Sequence, residues 1–247
     1  MIRGIYTAAS GMVAESLRTD TIANNLANVN TAGYKKDVAI SKDFRSMYIQ
    51  RINDGTDAPV IGNMGVGSVI DEIAPIHSAG PMVQTGNTFD LAIEGQGYFT
   101  VDTPNGVRYT RNGSFTRNAL GELVTQDGYR VLGKNGPLRV TGDKVAVSSD
   151  GQVRVDGMVT GSLQLVSFTD EKQLTKEGSS LYVAAAGART SPMEGIVRQG
   201  VVEQSNVNAV SEMVNMIAGY RAYETNAKAV QAQDELLDKA VNEVAKV

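Results

Sequence analysis

The feature that most constrains this chain lies at its C-terminal end. Counting alternately by three and four gives Met213, Met216, Tyr220, Tyr223, Ala227, Val230, Asp234, Leu237, Val241 and Val244, and Asp234 alone breaks the apolar row. A 3.5-residue period held this long predicts a helix with a coiled-coil seam rather than the wider stripe of an ordinary surface helix. Val210, Val214 and Ile217 widen the seam at its start, and Ser205 or Asn206 is read as the N-cap.

The N-terminal end carries a weaker counterpart. Ile2, Ile5, Ala9, Met12, Ser16, Thr19, Ala23 and Leu26 follow the same spacing, with Tyr6, Val13 and Leu17 beside them. This predicts a helix running to near Asn28 and stopping between Asn30 and Gly33, where glycine takes the left-handed conformation that ends helices. Four asparagines (Asn24, Asn25, Asn28 and Asn30) crowd the end of that helix. Asparagine is a mediocre helix former and costly to bury unpaired. Within a helix interface such amides specify register and partner. At a fraying helix end they are simply solvated, with Asn30 serving the turn. The residues alone leave both readings open.

Between the ends the punctuation changes. All six prolines lie from Pro59 to Pro192, and of 26 glycines only Gly4, Gly11, Gly33 and Gly219 fall outside residues 35–202. The stretches Asp90–Asp102, Val107–Asn118, Leu120–Gly133 and Lys144–Phe168 mix apolar, aromatic and Thr residues with turn pairs at Asp127-Gly128, Asp150-Gly151 and Asp156-Gly157. Residues 35–80 are less patterned, and Gly62–Ser68 is read as a flexible or extended loop.

The expected class is therefore α+β: long N- and C-terminal helices forming a coiled-coil-like domain, with a central all-β domain, antiparallel and folded-ribbon or barrel-like. The expected division is an N-terminal helix over 1–34, an extended linker over 35–80, a central β domain over 81–202 and a C-terminal helix over 203–247. Residues 1–45 hold six basic and four acidic side chains, and residues 203–247 four basic and seven acidic, so the two ends complement each other in sign. Paired with each other, the terminal helices still leave Met12/Val13 and Val214/Ile217 partly open, so neighbours from other copies are expected. The interface candidates are Ile5, Met12, Asn24, Asn25, Leu26, Asn28, Met213, Met216, Tyr220, Tyr223, Ala227, Val230, Leu237 and Val241.

Composition excludes several function classes. A net charge of -4 gives no general attraction to nucleic acid or to an anionic membrane. With no cysteine there is no disulfide or thiolate metal site. No run of 18 apolar residues predicts a membrane span. Gly4, Thr7, Ser10 and Gly11 interrupt the N-terminal apolar residues, so a cleavable signal peptide is not expected. The lone histidine, His77, reads as a surface or strand-end residue rather than a catalytic base. Gly62–Gly67 and Gly95-Gln96-Gly97 lack the Lys-Ser/Thr of a phosphate loop. Asp90 and Glu94 could be cast as a hydrolase pair, but strand packing explains them more simply. No cofactor is expected.

Three blocks carry a resemblance. ANNLANVNTAGYK (Ala23–Lys35) resembles the N-terminal signature of bacterial flagellar rod and hook proteins. DLAIEGQGYFTV with YTRNGSFTRNALGELVTQDGYRVLG resembles their central block, and Glu203–Val241 their C-terminal helix. The blocks stand in the family's order and cover about half the chain. The resemblance implies a structural subunit of the basal-body rod, not an enzyme. It would polymerise through its terminal helices, with the β domain outside, and transmit torque from motor to hook. It implies copies of itself and other rod proteins as partners. It also implies export through the flagellar type III apparatus without a cleaved signal, to a rod crossing the periplasm. The start MIRGIYTAASGM and the modest length resemble the proximal rod protein adjoining the distal rod. Residues 46–66 are long enough to resemble the loop that stiffens the distal rod, which is the alternative within the family. A secreted adhesin with a coiled-coil stalk is the alternative outside it.

Overall fold

A computed structural model describes residues 2–44, 46–50 and 60–244. An N-terminal helix, α1 (Ile2–Ala27), and a C-terminal helix, α2 (Ala209–Lys239), flank a series of short strands in the sequence. The structure divides into two compact units: residues 1–26, 37–74 and 208–247 form the first, and residues 27–36 and 75–207 the second.

The first unit holds both helices and the strands Asp37–Asp43, Ser46–Gln50, Val60–Gly65 and Ser68–Pro75. Asp37–Asp43 pairs with Ser68–Pro75, and Ser46–Gln50 pairs antiparallel with Val60–Gly65, Met47 opposite Met64. The glycines read as a loop at Gly62–Ser68 thus fall largely in strands, because paired neighbours supply the partners that a glycine-rich backbone cannot find alone. Of the longer stretch 46–66, residues 51–59 lie outside the described residues.

Helix α2 spans 31 residues, about 46 Å at 1.5 Å per residue, and runs into a π-helical turn at Ala240–Val244. Its N-cap is Asn208, whose side chain accepts from Ser211 N at 3.0 Å. Neither Ser205 nor Asn206 serves, because both are already engaged. Ser205 Oγ accepts from Val207 N at 3.2 Å, and the Asn206 amide ties other segments. Helix α1 gives way to turns ending at Gly33, with φ 67°. A Cβ on Gly33 would stand 2.4 Å from the Arg111 carbonyl carbon, so glycine is required there on two counts.

The second unit is built on an antiparallel sheet. Its strand order is Leu174–Glu177, Leu181–Ala184, Gly106–Thr110, Tyr98–Thr103, Arg130–Gly133, Leu123–Thr125, Phe115–Arg117. Tyr98–Thr103 is its axis, and its first four residues are buried on both faces. Phe99 and Val101 point into the main core with Leu91, Ile93, Phe115 and Val131, while Tyr98 packs with Phe168, Leu174 and Tyr182. The two-residue period of a strand divides the side chains this way. A smaller sheet, Val145–Val147, Gln152–Val155, Met158–Ser162, turns at Asp156-Gly157. Both residues there have positive φ, 51° and 86°, as a type I′ hairpin demands.

Candidate functional site

Within the first unit the two helices run antiparallel. Seven residues forward on α1, from Gly4 to Gly11, meet seven back on α2, from Gln233 to Asn226, and the next seven back reach Gly219 against Thr19. A Cβ on Gly4 would stand 3.5 Å from Gln233 Cδ, one on Gly11 2.8 Å from Asn226 Nδ2, and one on Gly219 2.9 Å from Thr19 Oγ1. The contact therefore runs along small and polar residues. Thr19 and Gly219 are buried, as are Ala8, Ala14 and Ile22 of α1 and Glu212 of α2. The buried hydroxyls of Thr19 and Thr21 bond back to Glu15 O and Leu17 O, which satisfies them inside the helix.

This contact falls one residue away from half of the sequence-derived seam. Met216, Ala227, Val230 and Leu237 are half-buried, and Tyr223 is 40% exposed. Met213, Tyr220 and Val241 remain open, as do Val210, Val214 and Ile217, all between 50% and 72% exposed. On α1, Ile5, Met12 and Leu26 are half-buried, whereas Tyr6, Val13 and Leu17 are exposed. The helix pair leaves Met213, Val214, Ile217 and Tyr220 of α2 and Tyr6, Val13 and Leu17 of α1 outward because glycine and small polar residues allow closer approach of the backbones than Met or Tyr would.

The asparagine cluster is split. Asn25 is 1% exposed, and its amide makes a two-way contact with one backbone unit: Asp37 N donates to Oδ1 at 2.8 Å, and Nδ2 donates to Asp37 O at 2.8 Å. Asn28 is half-buried and accepts from Thr31 Oγ1 at 3.2 Å within the turn. Asn24 is exposed.

The second unit holds a buried charged cluster that sequence reasoning missed. Lys35 Nζ donates to Glu203 Oε1 at 2.5 Å and to Ser78 O at 2.8 Å, and Gly80 N donates to the same carboxylate oxygen at 2.9 Å. Arg111 stands 3.6 Å from Glu203 Oε2 and donates to Ile93 O and Gly95 O. Burial lowers the Lys35 ammonium below its ordinary range, and Glu203 opposes that shift. Lys176 lies 3.7 Å from the centre of the Tyr34 ring and donates to Lys35 O at 2.8 Å. No short motif announces such a cluster, since Lys35 and Glu203 are 168 positions apart.

His77 belongs to this region. Its Nδ1 lies 2.9 Å from Tyr98 Oη, and its ring packs tilted on Tyr182. Burial holds its imidazole below the usual range, with Lys35, Arg111 and Lys176 adding to the effect against Glu171. The carboxylates cast as a hydrolase pair are committed elsewhere. Asp90 accepts from Thr85 Oγ1 and Asn87 Nδ2, and Glu94 pairs with Arg198 at 2.5 Å.

Three family models match this chain in order. Residues 5–35 match "Flagella basal body rod protein", 92–155 "Flagellar hook protein FlgE/F/G D1 domain", and 198–243 "Flagellar basal body rod FlgEFG protein C-terminal". The flagellar basal-body rod protein FlgG of Bacillus subtilis is 38% identical over 98% of this chain and 99% of its own length. FlgG of Caulobacter vibrioides is 36% identical over 96% and 97%. The flagellar hook-basal body complex protein FlhO of Bacillus subtilis is 32% identical over the whole of both chains. The chain belongs to the flagellar basal-body rod protein family. It is a structural rod subunit rather than an enzyme, and its place is the basal-body rod.

Proposed function

We propose that this subunit polymerises through α1 and α2 and transmits torque from motor to hook along a rod that spans the periplasm. The terminal helices form the axial core as coiled coils, and the β domain is a folded barrel-like ribbon. Copies of the chain and other rod proteins are the partners, delivered by the flagellar export apparatus. The proximal rod, next to the distal segment, is its place.

The observation that carries this reading is the set of large apolar side chains that the helix pair leaves in water. Val210, Met213, Val214, Ile217 and Tyr220 stand open on α2, and Tyr6, Val13 and Leu17 on α1. Apolar stripes of this length on a rod-family chain require a cover, and neighbouring copies supply it. Met216, Tyr223, Ala227, Val230, Leu237, Ile5, Met12 and Leu26 form the edge between the intrachain pair and those neighbours, with Val241 beyond.

The test is a Met213→Asp/Tyr220→Asp chain. Each change places a charge in a face that becomes desolvated only on assembly. The monomer is expected to keep its circular dichroism spectrum and melting temperature while sedimentable polymer and motility are lost. Rods of normal length from this variant would refute the assignment.

A further inference from the structure

The chain passes between its two units at four places: 26/27, 36/37, 74/75 and 207/208. On the side of the second unit, all four passages belong to three segments, residues 27–36, 75–80 and 203–207. Those segments are bolted together. Gly33 N donates to Glu203 O at 2.7 Å, and Ile76 N donates to Lys36 O at 2.8 Å. Asn206 joins all three: its Oδ1 accepts from Lys36 N at 2.8 Å, and its Nδ2 donates to Ile76 O at 2.8 Å and to Ser78 O at 3.1 Å. The Lys35–Glu203 pair, with Ser78 O and Gly80 N, ties the same three segments again through side chains at or below 1% exposure.

We propose that Glu203 and Asn206 are the positioning residues of a load-bearing joint. They hold the three segments through which every covalent passage runs fixed to one another within the second unit, so that force carried along the chain reaches the β domain through segments that do not slide apart. A buried ion pair contributes little net stability and much geometric definition, which suits a joint better than a core. Charge-assisted and backbone hydrogen bonds also resist shear that apolar packing, being non-directional, would allow. This inference rests on the torque-transmitting reading above.

The experiment uses full-length chain carrying Glu203→Gln or, with less risk to folding, Asn206→Ala. In the dilute monomer, amide exchange at Gly33, Lys36 and Ile76 is expected to quicken at least tenfold, while Phe99 and Val101 in the core strand change less than twofold. In cells lacking their own copy, the variants are expected to assemble rods and turn small beads, but to stall under viscous loads that the unaltered chain sustains. Exchange that stays unchanged, or that rises equally in the core, overturns the joint. Loosened segments with normal rotation under load also overturn it. If the unaltered chain itself fails to enter rods, it is the torque-transmitting reading that falls.

Discussion

Replacing Asn25 by alanine removes both halves of its contact with Asp37, each 2.8 Å long. A net intramolecular hydrogen bond is worth about 1 kcal/mol, so the segment entering the strand Asp37–Asp43 should lose about 2 kcal/mol of local stability. That corresponds to roughly 30-fold easier opening. The Asp37 amide is itself one of the donors, so its exchange rate in dilute full-length monomer reads the effect directly. Asn25→Asp retains an acceptor for that amide and sets a carboxylate against Asp37 O; it should lose protection at neutral pH and regain part of it in acid as the carboxylate takes a proton. An Asp37 amide that exchanges within twofold of normal in Asn25→Ala, while assembly fails, would refute the reasoning. The buried amide would then act between molecules and not within one.

Two further outcomes follow from the geometry. Because the chain has no cysteine of its own, Gly11→Cys/Asn226→Cys should close an intrachain disulfide on mild oxidation of dilute monomer, seen as faster migration without reductant. Crosslinks found only between chains would contradict the antiparallel helix contact. His77, whose pKa is lowered in the folded state by burial, is protonated first in the unfolded chain, so stability should fall as pH drops below about 6.5, by at most about 1.4 kcal/mol per pH unit. Urea titrations at pH 7.5, 6 and 5 should show that slope flattened in His77→Gln, and parallel curves for both proteins would exclude the histidine as its source.

The sequence declared the two terminal helices because punctuating residues are scarce there, and the β centre because Asp-Gly turns recur at strand spacing. It declared the period of the helical rows but not which row the chain uses on itself. Counting apolar residues selected Met213 and Tyr220, whereas the partner helix takes Gly219, Asn226 and Gln233, since Gly11 and Gly219 admit close approach. Hydrophobicity ranks rows by what they gain from burial and is blind to how near two backbones come. Asn25 was visible as an anomaly, yet its partner is a backbone unit twelve residues on, for which no side-chain pattern codes. The Lys35–Glu203 pair was illegible for a different reason: charges are ordinarily solvated, and only the fold brings these two into a dry interior.

The outward apolar rows of α1 and α2 bear on temperature as well as on geometry. Attraction between such faces is largely entropic near room temperature and fades on cooling. In the proposed assembly, rods closed by these faces should therefore join with a drop in heat capacity and come apart more readily near freezing than in warmth.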